Sequence, residues 1–137
     1  MKISGGCLCG AVRYAITSPP VTVRTCWCRL CQKLGAGSAT VNAMFDKSTV
    51  TVTGELSDYV RKADSGNKMH RRFCPKCGTP MFSEAEARPN IIGIRVGTLD
   101  DPEVAAPQVT IWTKEAPSWA CISETLPQVE GQPPAPK

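Results

Sequence analysis

Arg72-Phe73-Cys74-Pro75-Lys76-Cys77-Gly78-Thr79-Pro80 is the stretch on which the fold turns. Two thiolates three residues apart can grip one metal ion across a tight turn. A glycine directly after the second lets the backbone take a positive φ and aim its N–H groups at the sulfurs. Cys7-Leu8-Cys9-Gly10, near the start of the chain, is a shorter form of the same device. Two such pairs supply four sulfurs, the number a tetrahedral structural zinc requires. Disulfides are the competing reading, but cysteines this close in sequence rarely bridge outside redox motifs. If the pairs join, the metal ties the N-terminus to the middle of the chain. It would then contribute roughly 10–16 kcal/mol of apparent binding free energy, more than the usual net stability of a small domain. Loss of that zinc is expected to unfold the protein.

Between the pairs lies Cys26-Trp27-Cys28-Arg29-Leu30-Cys31. Three protein ligands and an exchangeable fourth position are the usual signature of a reactive zinc. Three thiolates on Zn²⁺ leave a net charge of −1, which weakens the Lewis acidity needed to make hydroxide from water. The same softness suits a substrate thiolate, so the cluster points to thiol chemistry rather than hydrolysis. A fourth ligand from Cys121 or His70 would instead close it into a second structural site. His70 beside two arginines reads as a partly exposed strand residue, and Cys121 between Ala120 and Ile122 as a buried core thiol.

Eight cysteines in 137 residues need metal, disulfides or redox chemistry to explain them. No apolar signal-peptide core precedes Cys7, and no apolar run reaches the roughly 18 residues of a membrane span. A cytoplasmic chain, where thiols stay reduced and clustered cysteines bind metal, is therefore expected. The formal charge of +4 falls to near +1 once seven thiolates hold two Zn²⁺. The nearest thing to a basic run, Lys68-Met69-His70-Arg71-Arg72, reads as a modest basic strand. With no aromatic stacking series beside it, nucleic acid is not an expected partner.

The segments between clusters read as short strands. In Ala11–Thr17 the side chains of Val12, Tyr14 and Ile16 fall on one face. Further strands are expected over Ser38–Phe45, Thr49–Thr53, Leu56–Lys62, the run ending at Phe73, Asn90–Val96, Val109–Thr113 and Trp119–Ser123. Asp64-Ser65-Gly66-Asn67 reads as a polar turn. Arg29–Leu34, ending at Gly35, is the one short helix. Low aromatic content (6%) with 11 Gly and 12 Pro predicts a thin core for which zinc substitutes. The class is mainly β: one domain over residues 1–126, then a proline-rich, flexible tail over 127–137.

At these residues the chain resembles the glutathione-dependent formaldehyde-activating enzyme family, which includes the centromere protein V group. The matching stretches are Gly5 to Tyr14, Cys26 to Cys31 and Arg72 to Pro80, with weaker ones at Gly97–Pro102 and Ala116–Trp119. The resemblance implies a β-tent of twisted antiparallel sheets stapled by zinc. It implies one structural zinc at Cys7, Cys9, Cys74 and Cys77 and a catalytic zinc at Cys26, Cys28 and Cys31. The implied activity is that of a carbon–sulfur lyase, joining formaldehyde to glutathione as S-hydroxymethylglutathione. The family usually has His where this chain has Trp27 and often Arg where it has Gln32, although Lys33 follows. A frequent late-strand His corresponds to Thr110. These departures spare the metal ligands and bear on the substrate.

The expected chemistry is addition of a thiol such as glutathione to a small aldehyde. Arg29 and Lys33 are the candidate partners of glutathione's carboxylates, and Trp27 is a candidate pocket wall or core residue. The alternative is a non-catalytic interaction module with two structural zincs.

Overall fold

The computed structural model describes residues 2–62 and 66–134. In chain order the elements are β1 (Ile3–Gly6), β2 (Arg13–Ile16), β3 (Thr22–Cys26), α1 (Arg29–Leu34), β4 (Thr40–Asp46), β5 (Val50–Thr53), β6 (Ser57–Lys62), β7 (Lys68–Phe73), β8 (Pro80–Ala85), β9 (Ile91–Arg95) and β10 (Val109–Ile111). They form a three-stranded sheet, β1-β2-β5, and a seven-stranded sheet, β10-β3-β4-β9-β8-β7-β6. The architecture is the mainly β, tent-like arrangement expected. Every strand pair is antiparallel except β10 with β3, which run parallel. No described helix is long and apolar enough to cross a membrane.

Alternation fixes which face of each strand is buried. Val12, Tyr14 and Ile16 face inward from the small sheet, as their spacing predicts. They meet Val23, Ala43, Phe45, Phe82 and Ile94 of the large sheet in one core. The rings of Tyr14 and Phe82 pack edge-on with centroids 5.5 Å apart. Cys7 and Cys74 belong to this core, whereas Cys26 and Cys31 form a separate cluster with Ile111.

Three strands carry no strong β signal in sequence. In β1 two glycines replace side chains because Gly5 lies under Tyr14, where a Cβ would overlap the phenol oxygen and the Thr98 carbonyl. β3 and β8 carry their signal in single buried residues such as Val23 and Met81 rather than in a β-branched run. The polar turn expected at Asp64–Asn67 lies partly outside the described residues.

Trp119–Ser123 is not a strand, and Cys121 is exposed rather than a core thiol. The reason is that the edge of β10 is already taken by the chain after Pro127. The Thr110 N–H donates to the Pro127 carbonyl (3.0 Å), and the Val129 N–H donates to the Thr110 carbonyl (2.8 Å). Residues 127–132 of the proline-rich segment are therefore held along the sheet edge. Trp112, at φ 59° and ψ 35°, turns the chain out of β10, and its indole N–H reaches Gln132 Oε1 at 2.9 Å.

Candidate metal centres and the cleft beside the second

Two like knuckles bring the first four cysteines together. After β1 the chain turns at Cys7–Gly10, where the Gly10 N–H meets the Cys7 carbonyl at 3.1 Å and Gly10 has φ 83°. After β7 it turns at Cys74–Gly78, with the corresponding bond at 2.8 Å and φ 75° at Gly78. The sulfurs of Cys7, Cys9, Cys74 and Cys77 lie within 4.8 Å of one another. Cys7–Cys9 and Cys9–Cys74 are separated by 3.6 and 3.8 Å. Ligand bonds of about 2.3 Å give a tetrahedral sulfur–sulfur edge of about 3.8 Å, so the donor set fits zinc. Thr79 stitches the knuckles: its Oγ1 accepts the Leu8 N–H at 3.1 Å and lies 3.1 Å from Cys77 Sγ. That hydroxyl and the Thr79 backbone hold the Cys77 thiol down to about 5.

The second cluster is built where β3 runs into α1. Cys26 ends the strand, Cys28 is the helix N-cap and Cys31 sits within the helix. Cys28 Sγ accepts the Cys31 N–H at 3.3 Å. The three sulfurs lie within 4.8 Å of one another, and among the described residues no fourth His, Cys, Asp or Glu ligand atom joins them. Cys121 is exposed elsewhere. His70 is engaged at both nitrogens, by Asp58 and Glu86 at 2.6 Å each. The two residues that could have closed the site do not do so. Hydrogen bonds from Cys26 and Cys28 hold Cys31 down to about 2, with help from Thr40 and the Arg95 guanidinium. Cys26 is pushed upward by Cys28, Cys31 and burial. Three soft donors in a compact, partly buried group suit a thiophilic ion.

A cleft of about 640 Å³ opens beside this cluster, and Cys28 lies in its wall. Arg29 and Leu30 from α1, Trp112 and Glu115 line one side; Arg61, Met69, Arg71 and Arg88 line the other. Trp27 is not in the lining: it is 4% exposed and packs edge-on against Trp119, with ring centroids 6.5 Å apart. Gln32 is also buried, and its amide donates to the Trp27 carbonyl (2.7 Å) and the Glu115 carbonyl (3.0 Å). Lys33 is exposed in the last turn of α1 and does not line the cleft.

A family model described as "Glutathione-dependent formaldehyde-activating enzyme" matches residues 2–115. The chain belongs to the glutathione-dependent formaldehyde-activating enzyme family. It is 27% identical over 128 residues to a Halomonas elongata protein named "Putative glutathione-dependent formaldehyde-activating enzyme", covering 89% of this chain and 82% of that one. It also resembles the crystal structure of a Rhodobacter sphaeroides protein. That match has a TM-score of 0.57 at 24% identity and covers 71% of this chain and 87% of the other, which bears on the fold alone.

Sequence reasoning missed the arginines. Alternation could have found them, because Arg24 precedes Cys26 by two in a strand and so shares its face. The basic strand at 68–72 divides in the same way. His70 and Arg72 turn to one face, where Asp58, Glu84 and Glu86 pair with them. Met69 and Arg71 turn to the other and line the cleft.

Proposed function

We propose that the chain condenses a small aldehyde such as formaldehyde with a thiol such as glutathione, a carbon–sulfur lyase-type reaction yielding S-hydroxymethylglutathione. The carrying observation is a compact three-sulfur group with one member, Cys28, in the wall of a cleft large enough for a small peptide. Cys26, Cys28 and Cys31 would hold a catalytic zinc. Cys7, Cys9, Cys74 and Cys77 would hold a structural one that closes the N-terminus onto the β7–β8 turn. A zinc ion at the three-sulfur group would supply a soft position for the substrate sulfur and lower the thiol's pKa.

The protein's own residues do the rest. Cys28 and α1 place the reacting sulfur at the cleft wall, and Gln32 fixes the Trp27 backbone between two of the ligands. Arg95, largely withdrawn from solvent and close to the Cys31, Cys26 and Cys28 sulfurs, offsets the negative charge three thiolates bring. Holding thiol and aldehyde together in the cleft supplies much of the rate. A sulfur–carbon bond forms, the carbonyl π bond breaks, and the thiol proton ends on the former carbonyl oxygen. The reaction is redox-neutral and needs no further reactant. A cytoplasmic setting, where glutathione is reduced, accords with eight cysteines that form no disulfide.

The deciding experiment follows formaldehyde consumption by the zinc-loaded chain with glutathione, read by NMR as growth of the hydroxymethyl-thioether signal. Acceleration over the uncatalysed addition, lost in Cys28→Ala, is expected. An uncatalysed rate with full zinc loading would refute the catalytic reading.

A further inference from the structure

One face of the seven-stranded sheet is committed to the core; the register defines what stands on the other. Cross-strand partners share a face. Arg24 pairs with Asn42 and Asn42 with Arg95, Arg71 with Ser83, and Arg61 with Met69. Cys26 follows Arg24 by two residues, so the three-sulfur group and four arginines occupy the same side of one sheet. Arg88, in the turn between β8 and β9, joins them in the cleft lining.

These cations are unbalanced. None of Arg24, Arg61, Arg71, Arg88 and Arg95 is in a salt bridge among the described residues. Arg88 Nη1 and Arg95 Nε are buried with no hydrogen-bond partner. The acid in the lining, Glu115, accepts the Arg29 N–H with its Oε1 at 3.4 Å, on the opposite wall. The arginines repel each other: after burial, Arg88 is the next cause lowering Arg24, and Arg71 also works against Arg95. Buried or half-buried guanidinium groups without anions are costly, and their planar forks match carboxylates. Arg24 and Arg95 stand near the cysteines and answer the charge of the thiolates. Arg61, Arg71 and Arg88 have no such partner among the described residues.

We propose that Arg71 and Arg88, with Arg61 at the rim, bind the carboxylates of an anionic thiol whose sulfur reaches the Cys26–Cys28–Cys31 group, and so set substrate specificity. This rests on the thiol-substrate reading above but assigns the anion site to the far wall of the cleft, away from Lys33. Uncharged thiols would meet the same sulfur-binding group without the grip that orients them.

The test uses the zinc-loaded full chain and S-methylglutathione, which keeps both carboxylates but has no free thiol. By titration calorimetry S-methylglutathione binds, its dimethyl ester binds at least about tenfold more weakly, and affinity falls with salt. Arg71→Gln and Arg88→Gln each weaken the parent compound by a similar factor while zinc content stays unchanged. Equal affinity for ester and parent, unchanged affinity in both variants, or no binding to the unaltered chain would overturn the proposal. The ester comparison needs no variant, so misfolding of the substituted chains would not spoil it. Carboxylate-dependent binding without turnover supports this site while removing the catalytic reading. Turnover with KM unchanged in both variants does the reverse.

Discussion

Thr79 Oγ1 lies 3.1 Å from Cys77 Sγ and, at the same distance, accepts the N–H of Leu8 from the other knuckle. One hydroxyl thus orients the sulfur of a candidate metal ligand and locks together segments 71 residues apart. Partners of this kind typically change metal affinity by about 10–100-fold when removed. Thr79→Val keeps the shape and loses the hydroxyl. Chelator competition should show one of two zincs released at about tenfold lower chelator, the other unaffected. Equal release of both zincs, or of neither, would contradict this division of labour.

The two clusters should fail differently. Cys7 and Cys74 lie in the main core, with Cys74 wholly buried, while Cys26 and Cys31 sit in a small separate cluster. Cys74→Ala removes one of four sulfurs that could hold a metal, and a metal there would join β1 to the β7–β8 turn. Far-UV circular dichroism should show a largely unfolded chain, in keeping with roughly 10 kcal/mol or more of metal-binding energy. Cys28→Ala should lose about one zinc equivalent and leave the spectrum and cooperative melting in place. A Cys74→Ala chain that folds without metal would show that the core suffices by itself.

How far these features were legible in sequence depended on whether one residue or a pairing carried them. Each knuckle announces itself locally, because the ligands and the glycine that follows sit within a few residues of one another. The Val12, Tyr14, Ile16 face was equally plain from alternation. β1 could not be read because its glycines answer to the Tyr14 ring across a strand pair, not to any β propensity. The Trp119–Ser123 segment has strand-like residues, but Pro127–Val129 holds the hydrogen bonds it would have needed. The arginine face was the largest omission. Arg24, Arg95 and Arg71 lie in three distant segments, and only the register β3-β4-β9-β8-β7 gathers them.

Trp27, which the family resemblance marks as a departure bearing on the substrate, is buried against Trp119 and lies outside the cleft lining. Its indole nitrogen has no hydrogen-bond partner, so its contribution is packing. Trp27→Ala should cost about 3 kcal/mol of stability, read by denaturant unfolding. KM for the thiol in Trp27→His should change by less than about threefold, since a buried side chain does not touch ligand. A KM shift of tenfold or more with unchanged stability would place the side chain in the substrate's path.

His70 offers a pH-dependent brace at the outer edge of the sheet. It stands on β7, with Nδ1 2.6 Å from Asp58 of β6 and Nε2 2.6 Å from Glu86 beyond β8. Both contacts are best made by an imidazolium donating at each nitrogen. Asp58 first, then Glu86, raises its pKa above the ordinary value, against desolvation and then Arg72. Asp58 also reaches Arg72 at 3.9 Å, so it keeps a partner when the imidazole is neutral. A raised folded-state pKa means that the brace is fully present below the unfolded value of about 6.5 and is lost as pH climbs through the folded value. The melting temperature of the zinc-loaded chain should therefore exceed that of His70→Gln most at about pH 6, with the gap narrowing as pH rises above the folded value. Zinc ligands lose metal on acidification, not over this alkaline-going window, so the trend is separable from metal loss. A gap that stays constant, or widens with rising pH, would mean that His70 is held neutral between the two carboxylates.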